Sequence, residues 1–244
     1  MRDVVRRNRR LLLSPELPPC DGPKLRAFQY RNDPIEWLGS LEDRPIPPGS
    51  IRQGYVFKVK IQSRIYALKV FKFFDPSAYR GYLGPAQGEP VSDDVLTFHT
   101  DPFYAECRAY GRLQHAREKQ GLKPEGSPVR AIVKELIASD PVVDEKLLHK
   151  MLKGIKWINK HNVLVGDVRL DNYKGGVLVD FGMAWTKPHC RWAALPDFQK
   201  KDVHRLDEIQ FQEMLDDMGL EDNIRSTPNS DYKEKLRKSK IKLY

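Results

Sequence analysis

Apolar and polar residues alternate along two adjacent stretches in the first third of the chain. The first stretch runs from Tyr55 to Ile61 with lysines at alternate positions near its end, and the second runs from Ile65 to Phe71. A period of two residues is typical of a half-buried strand, and the short polar segment 62–64 between the stretches is typical of a tight loop. The pattern therefore predicts an antiparallel hairpin that begins near Gly49.

Helical periodicity replaces this alternation in three later stretches. The pair Asp101-Pro102 predicts a helix over 101–120, because aspartate is a favourable N-cap and proline suits the first helical position. Asp144 caps a second predicted helix that ends near Asn162. Apolar residues between 203 and 218 predict a last helix that stops at Gly219. Their apolar stripes follow a helical spacing and comprise Phe103, Cys107, Tyr110, Leu113, Leu147, Leu148, Met151, Leu152, Ile155 and Ile158.

The segments between these elements give weaker predictions. Asp33-Pro34 repeats the cap-and-proline pattern and predicts a short helix through Leu41, and the apolar residues of 131–137 predict a strand. Residues 75–100 carry several glycines and prolines without a clear period, which indicates an insertion or long loop. Residues 183–198 are expected to be irregular.

A pair of glycines marks a tight turn between two polar residues. Gly175 and Gly176 tolerate positive φ, so they favour a hairpin between the short runs on either side. If the hairpin folds about Gly176, Asn172 and Asp180 are equidistant from the turn and their side chains meet at its open end. Oxygen donors in that position could hold a hard cation such as Mg²⁺.

Charge and cysteine content narrow the class of protein. The 244-residue chain carries a formal charge of +9, and arginines and lysines accumulate at both of its ends. Such ends are typical of solvated tails, and nuclear import or direct nucleic-acid contact is the alternative. Three widely spaced cysteines without metal-ligand spacing indicate reduced thiols. With no stretch of membrane-spanning length, we expect a soluble nuclear or cytoplasmic protein without a membrane partner.

The later loop carries a family resemblance. The sequence G-D-V-R-L-D-N at 166–172, followed by V-D-F-G at 179–182, resembles the catalytic loop and metal-binding motif of the protein-kinase-like superfamily. The resemblance implies that Asp167 is the catalytic base and Arg169 the cation near the transferred phosphate. It makes Asn172 and Asp180 the metal ligands.

The early sheet carries the other half of the resemblance. Y-A-L-K-V at 66–70 resembles the strand whose lysine, here Lys69, contacts phosphates, and Glu106 would pair with that lysine. The segment from Gly49 to Val56 keeps two glycines of the phosphate-covering loop but has Ile51 in place of a third. The resemblance implies ATP and Mg²⁺ as cofactors. The residues implied to contact the nucleotide are Gly49, Gly54, Val56, Ala67, Lys69, Glu106 and Glu135, with Lys69 also counted among the catalytic residues.

The implied fold is an α+β, bilobal protein-kinase-like fold with a short antiparallel sheet in the N-lobe and a reduced, mainly helical C-lobe. We expect a basic tail at 1–30, the N-lobe at 31–138 with an insertion near 75–100, and the C-lobe at 139–244 ending in a basic tail. Three departures argue against control by an activation loop: no A-P-E signature follows the loop, Gly166 replaces an arginine, and Val165 replaces a histidine.

A narrower resemblance covers three segments. Y-A-L-K-V-F-K-F-F-D-P, D-P-F-Y-A-E-C-R-A-Y-G-R-L and V-G-D-V-R-L-D-N-Y are similar to a fungal family of inner-kinetochore Sim-four complex subunits, which implies a nuclear role at the centromere with kinetochore proteins as partners. Three hypotheses follow: an ATP-dependent phosphotransferase acting on a protein hydroxyl, a catalytically inactive scaffold, and a small-molecule kinase.

Overall fold

The computed structural model describes residues 25, 27–41, 53–80, 92–118, 131–137, 143–195, 197–200 and 203–220. Gly49, residues 81–91 of the predicted insertion and nearly all of the predicted basic tails lie outside these ranges. The predictions for those residues therefore have no structural counterpart.

Four strands form one antiparallel sheet in the order β1-β2-β3-β4. They are β1 Ile35–Ser40, β2 Gly54–Ile61, β3 Arg64–Phe71 and β4 Ala131–Glu135. The predicted hairpin is confirmed as β2 and β3, whose register runs from Gly54 opposite Phe71 to Ile61 opposite Arg64. The predicted strand at 131–137 is confirmed as β4, which pairs with β3.

The predicted helix after Asp33-Pro34 is wrong, because this segment forms the edge strand β1. Its partner is β2, and the register sets Glu36 directly opposite Lys60, whose ammonium lies 3.0 Å from the Glu36 carboxylate. Trp37 packs edge-to-face against Phe57 of β2, with 5.1 Å between the ring centroids. A six-residue helix is marginal by itself, so these cross-strand contacts decide the conformation.

Among the described residues, three helices lie between β3 and β4 in the chain: α1 Pro76–Arg80, α2 Asp93–Thr100 and α3 Pro102–Glu118. The prediction for α3 is confirmed, and the Asp101 carboxylate accepts a hydrogen bond from the Phe103 amide at 2.9 Å. The prediction of a long loop over 75–100 is wrong in part, since α1 and α2 fall within it. Ser92 caps α2 by accepting from the Val95 amide, which two acidic residues in the first turn support.

The later part of the chain is mainly helical. Its long helices are α4 Glu145–Lys160 and α7 Leu206–Asp217, both as predicted. Residues 183–198 are not wholly irregular, because Trp185–Thr186 pairs as a short strand with Val163–Leu164 and the helix Cys190–Ala194 follows. The remaining elements are β5 Val163–Leu164, a 3₁₀ turn at Leu170–Asn172, β6 Tyr173–Lys174, β7 Val177–Leu178, β8 Trp185–Thr186, α5 Cys190–Ala194, α6 Asp197–Lys200 and a 3₁₀ turn at Val203–Arg205.

Helix α3 takes part in two hydrophobic cores. Phe103 and Cys107 pack against Phe71 and Ile132 of the sheet, while Leu113 and its neighbours pack into the core formed by α4, α7 and the β6-β7 hairpin. The other face of the sheet has its own apolar cluster around Phe28. The predicted α+β class is confirmed. Within the described ranges, no helix has the length and apolar character required to cross a membrane.

Candidate functional site

Lys69 lies on the face of the sheet that looks toward α3. Residues on alternate positions of β3, and those opposite them in the register, share a face, so Val56, Ala67, Lys69 and Lys134 project to the same side. Lys69 is only 5% exposed. Its ammonium donates to the carboxylate of Glu106 on α3 and to both carboxylate oxygens of Asp180, at 3.0 and 2.9 Å.

Lys134 supplies a second cation to the same cluster. From β4 its ammonium donates to the other Glu106 oxygen at 2.8 Å and to the backbone carbonyl of Val179 at 2.6 Å. Local sequence does not single out this residue, because one lysine in a strand is ordinarily solvent-facing. The lysine directly follows the apolar residues 131–133 of β4, and only the strand pairing shows which way it points.

The four charged groups balance one another. Burial alone would raise the pKa of Asp180, but the ammonium groups of Lys69 and Lys134 and the Gly182 N–H hold that pKa well below its usual range. Glu106 is fully buried, and desolvation raises its pKa in spite of the two lysines. Burial disfavours the charged form of Lys69, yet Glu106 and Asp180 keep its pKa above the ordinary value. The lysines thus favour the charged forms of both carboxylates, while burial opposes them.

A second group of polar side chains lies in the loop before the hairpin. The Asn172 amide nitrogen donates to the Asp167 carboxylate at 3.0 Å and to the Asp167 carbonyl at 2.8 Å. Arg169 forms an ion pair with the same carboxylate at 2.9 Å. Burial raises the pKa of Asp167, with Arg169 and Asn172 opposing that shift and the charge of Asp180 adding to it.

The hairpin that separates these two groups differs from its prediction by one position. Gly175 and Gly176 both have positive φ, at 55° and 73°, and they form a two-residue turn between β6 and β7. The centre of the turn therefore falls between the glycines and not on Gly176. As a result Asn172 lies opposite Val179, whose amide donates to the Asn172 carbonyl at 2.9 Å, and Asp180 lies one residue further along.

Asp207 holds the start of the loop that carries Asp167 in place, and local sequence does not predict this role either. It lies fully buried on α7 and accepts hydrogen bonds from the amides of Val165 and Gly166 at 2.8 and 2.9 Å, and from the Asn159 side chain at 2.6 Å. Burial raises its pKa to about 6, although these donors oppose the shift. An acidic residue in the first turn of a helix is usual, so no local pattern distinguishes Asp207 from an ordinary helix-terminal aspartate.

The remaining predicted contact residues lie along the strands. Gly54 is buried at the start of β2, where a Cβ atom would lie 2.3 Å from the Val70 carbonyl, so the sheet itself requires a glycine there. Val56 and Ala67 are half-buried, and Glu135 is exposed at the end of β4. Gly49 lies outside the described residues.

The structure thus gathers the predicted residues into two neighbouring groups. Lys69, Glu106 and Asp180 form one group with Lys134, and Asp167, Arg169 and Asn172 form the other. Carboxylate and amide oxygens of these groups are the ligand type that Mg²⁺ prefers, and the lysines are the type that binds phosphate. Among the described residues, no hydrogen bond links the two groups directly.

Fold and site together define an α+β protein in which a four-stranded sheet and a helical core enclose a buried ionic cluster. The model of the family described as Kinetochore Sim4 complex subunit FTA2 matches residues 13–123 and 117–185, which is more than half of the chain. The chain belongs to this family. The comparison with curated proteins gave no match.

Proposed function

We propose that this protein is a kinetochore-complex subunit with a bilobal, protein-kinase-like fold, and that it binds ATP and Mg²⁺ between its sheet and its helical part. Membership of the kinetochore family supports the assembly, the nuclear location and the protein partners. The buried ionic cluster supports the nucleotide site. The proposal extends to phosphoryl transfer from ATP to a protein hydroxyl.

The observation that carries the proposal is the position of Lys69. Lys69 is 5% exposed and forms ion pairs with two carboxylates from different parts of the chain. Removing these three charged groups from water costs free energy of desolvation. Glu106 fixes the lysine from α3, while Asp180 holds it from the segment after the hairpin. A lysine oriented in this way is suited to contact the phosphates of a nucleotide.

The second group supplies residues suited to transfer. Asp167 would accept the proton of the attacking hydroxyl, and its raised pKa brings it nearer to the operating pH of a general base. Arg169, which contacts Asp167, would stabilise charge on the transferred group. Asn172 and Asp180 would hold Mg²⁺, which when bound neutralises phosphate charge.

A thermal-shift titration with Mg²⁺-ATP tests nucleotide binding. At a hundredfold excess over Kd the folded state should gain about 2.7 kcal/mol, and Lys69→Met or Asp180→Asn should remove this gain together with phosphate transfer. Lys146→Met is a matched control, since Lys146 is exposed on α4. Unchanged transfer in either site variant contradicts the assignment of these residues.

A nucleotide-free scaffold is the second candidate, and the charge balance of the cluster favours it. Lys69 and Asp180 already neutralise each other, so phosphate and Mg²⁺ would have to replace that contact. No thermal shift at millimolar Mg²⁺-ATP, combined with capture of kinetochore proteins that survives Lys69→Met, is the result expected of a scaffold.

A further inference from the structure

A cavity of about 440 Å³ lies in the helical part of the molecule, and it does not include any residue of the ionic cluster. Four lysines line it with one aromatic and one acidic side chain: Lys156, Lys160, Lys187, Lys200, Trp192 and Glu208. Its volume falls within the range of small-molecule sites, about 300–1,000 Å³.

A helix and backbone hydrogen bonds hold three of the lysines around the cavity. Lys156 and Lys160 project from the last turns of α4, where cations complement the carbonyl end of the helix. The Lys187 amide donates to the Asn162 carbonyl at 3.0 Å, and the Lys187 carbonyl accepts from Arg112 at 2.8 Å. Three of the four lysines are therefore held by α4 or by hydrogen bonds to its C-terminal end and to α3.

Acidic partners neutralise only part of this charge. Glu208 lies 3.6 Å from Lys156, and Asp197 lies 3.0 Å from Lys200. Within the described part of the chain, neither Lys160 nor Lys187 takes part in an ion pair. The Lys187 ammonium lies 3.7 Å from the centroid of the Trp192 ring, and partial burial lowers the pKa of this lysine. Its charge is thus held at the cavity without a carboxylate to offset it.

We propose that this cavity binds a ligand bearing phosphate groups. Lysine ammonium groups bind phosphate as point charges, and several of them around one open pocket raise the local concentration of anions. The side chains of Asn159 and Asn162, which also line the cavity, add amide groups of the kind that hydrogen-bond phosphate oxygens. The inference does not depend on the proposed nucleotide site.

Calorimetric titration of the full chain at about 0.15 M salt tests the proposal. The probes are inorganic pyrophosphate and a peptide carrying two phosphoserines. The variant Lys160→Gln/Lys187→Met removes two charges and keeps an aliphatic side chain against Trp192. It should weaken binding by roughly tenfold or more, because each lost interaction is a hydrogen bond to a charged group.

Two controls separate the cavity from other sources of affinity. Lys58→Gln/Lys146→Gln makes the same change in net charge away from the cavity and should leave binding intact. Lys69→Met removes any pyrophosphate binding at the proposed nucleotide site, so the binding that remains in this variant belongs to the cavity. Binding of pyrophosphate assigns the site to free phosphates, and binding of the peptide alone assigns it to phosphorylated partner segments. Binding of neither probe, equal loss in the charge control, or complete loss of binding in Lys69→Met overturns the proposal.

Discussion

At the scale of single residues, two lysines lie in a largely buried region, where removing an ammonium group from water costs free energy. Lys69 and Lys134 enter the same cluster from adjacent strands, and between them they satisfy both oxygens of Glu106. Without these cations a fully buried carboxylate would have to be protonated or unpaired. The pairing explains why an otherwise apolar region between β4 and α3 tolerates three charged side chains.

Lys134→Met should lower the free energy of unfolding by about 3 kcal/mol, because it leaves one oxygen of the buried Glu106 without its cation. Urea denaturation measures the loss. Combining the change with Glu106→Gln should destabilise the protein by less than the sum of the single variants, since the uncompensated charge is then absent. Strict additivity would show that Lys134 does not stabilise the fold through Glu106.

The lowered pKa of Asp180 gives a defined pH dependence. A carboxylate with a lower pKa in the folded state stabilises the protein above the ordinary aspartate pKa, and this contribution is lost as the pH falls through and below that value. Between about pH 7 and pH 3 the wild type should therefore lose more stability than Asp180→Asn. The side chain is 36% exposed, so added salt should reduce the difference. Parallel curves for the two proteins would contradict the pairing of Asp180 with the lysines.

At the scale of elements, the short β6-β7 hairpin positions the charged residues. Its two-residue turn fixes the register, and that register places Val179 where its carbonyl accepts from Lys134 and from the Tyr110 hydroxyl. The turn therefore ties the later loop to the sheet and to α3. A hairpin of only two residues per strand is not stable alone, so these contacts must hold it in place.

Gly176→Ala should destabilise the protein by about 1–2 kcal/mol, because the residue has a φ of 73° and its new Cβ would lie 2.5 Å from a Leu147 methyl group. Gly154→Ala is a matched control. Gly154 lies inside α4 with no heavy atom within 4 Å of the new Cβ, so this change should stabilise the helix by about 0.5–1 kcal/mol. Chemical denaturation of both variants gives the comparison, and a neutral effect of Gly176→Ala would show that the turn relaxes without cost.

At the scale of the whole molecule, α3 couples the sheet to the helical core. One end of the helix packs on the sheet through Phe103, and Leu113 near the other end packs among α4 and α7. Arg112 and Tyr110 add hydrogen bonds to Lys187 and Val179. Because one helix contributes to both cores, neither core can lose its packing without affecting the other.

The described parts should therefore unfold in a single cooperative transition. Far-ultraviolet circular dichroism and tryptophan fluorescence should report the same midpoint in urea, and Phe103→Ala and Leu113→Ala should each shift both signals together. Two separated midpoints, with each variant moving only one, would show that the sheet and the helical core are independent units.

The sequence alone determined the elements that depend on local patterns. Alternation specified β2 and β3, helical spacing with caps specified α3 and α4, and the glycine pair specified a turn, because each signal comes from neighbours in the chain. The motif residues Lys69, Glu106, Asp167, Asn172 and Asp180 were likewise chosen from the sequence, and the structure brings them into two adjacent groups. Their roles toward ATP and Mg²⁺ stay predictions.

Tertiary structure decided the rest. Ile35–Ser40 is a strand only because β2 supplies its partner, and Asn172 lies opposite Val179 only because the turn centres between two glycines. The buried contacts of Lys134 and Asp207 likewise could not be predicted from the local sequence. Each is a single charged residue whose partners lie between 28 and 48 positions away along the chain, and no local period records such contacts. Local sequence specifies backbone conformation, while the burial and pairing of a charge depend on which distant segments meet around it.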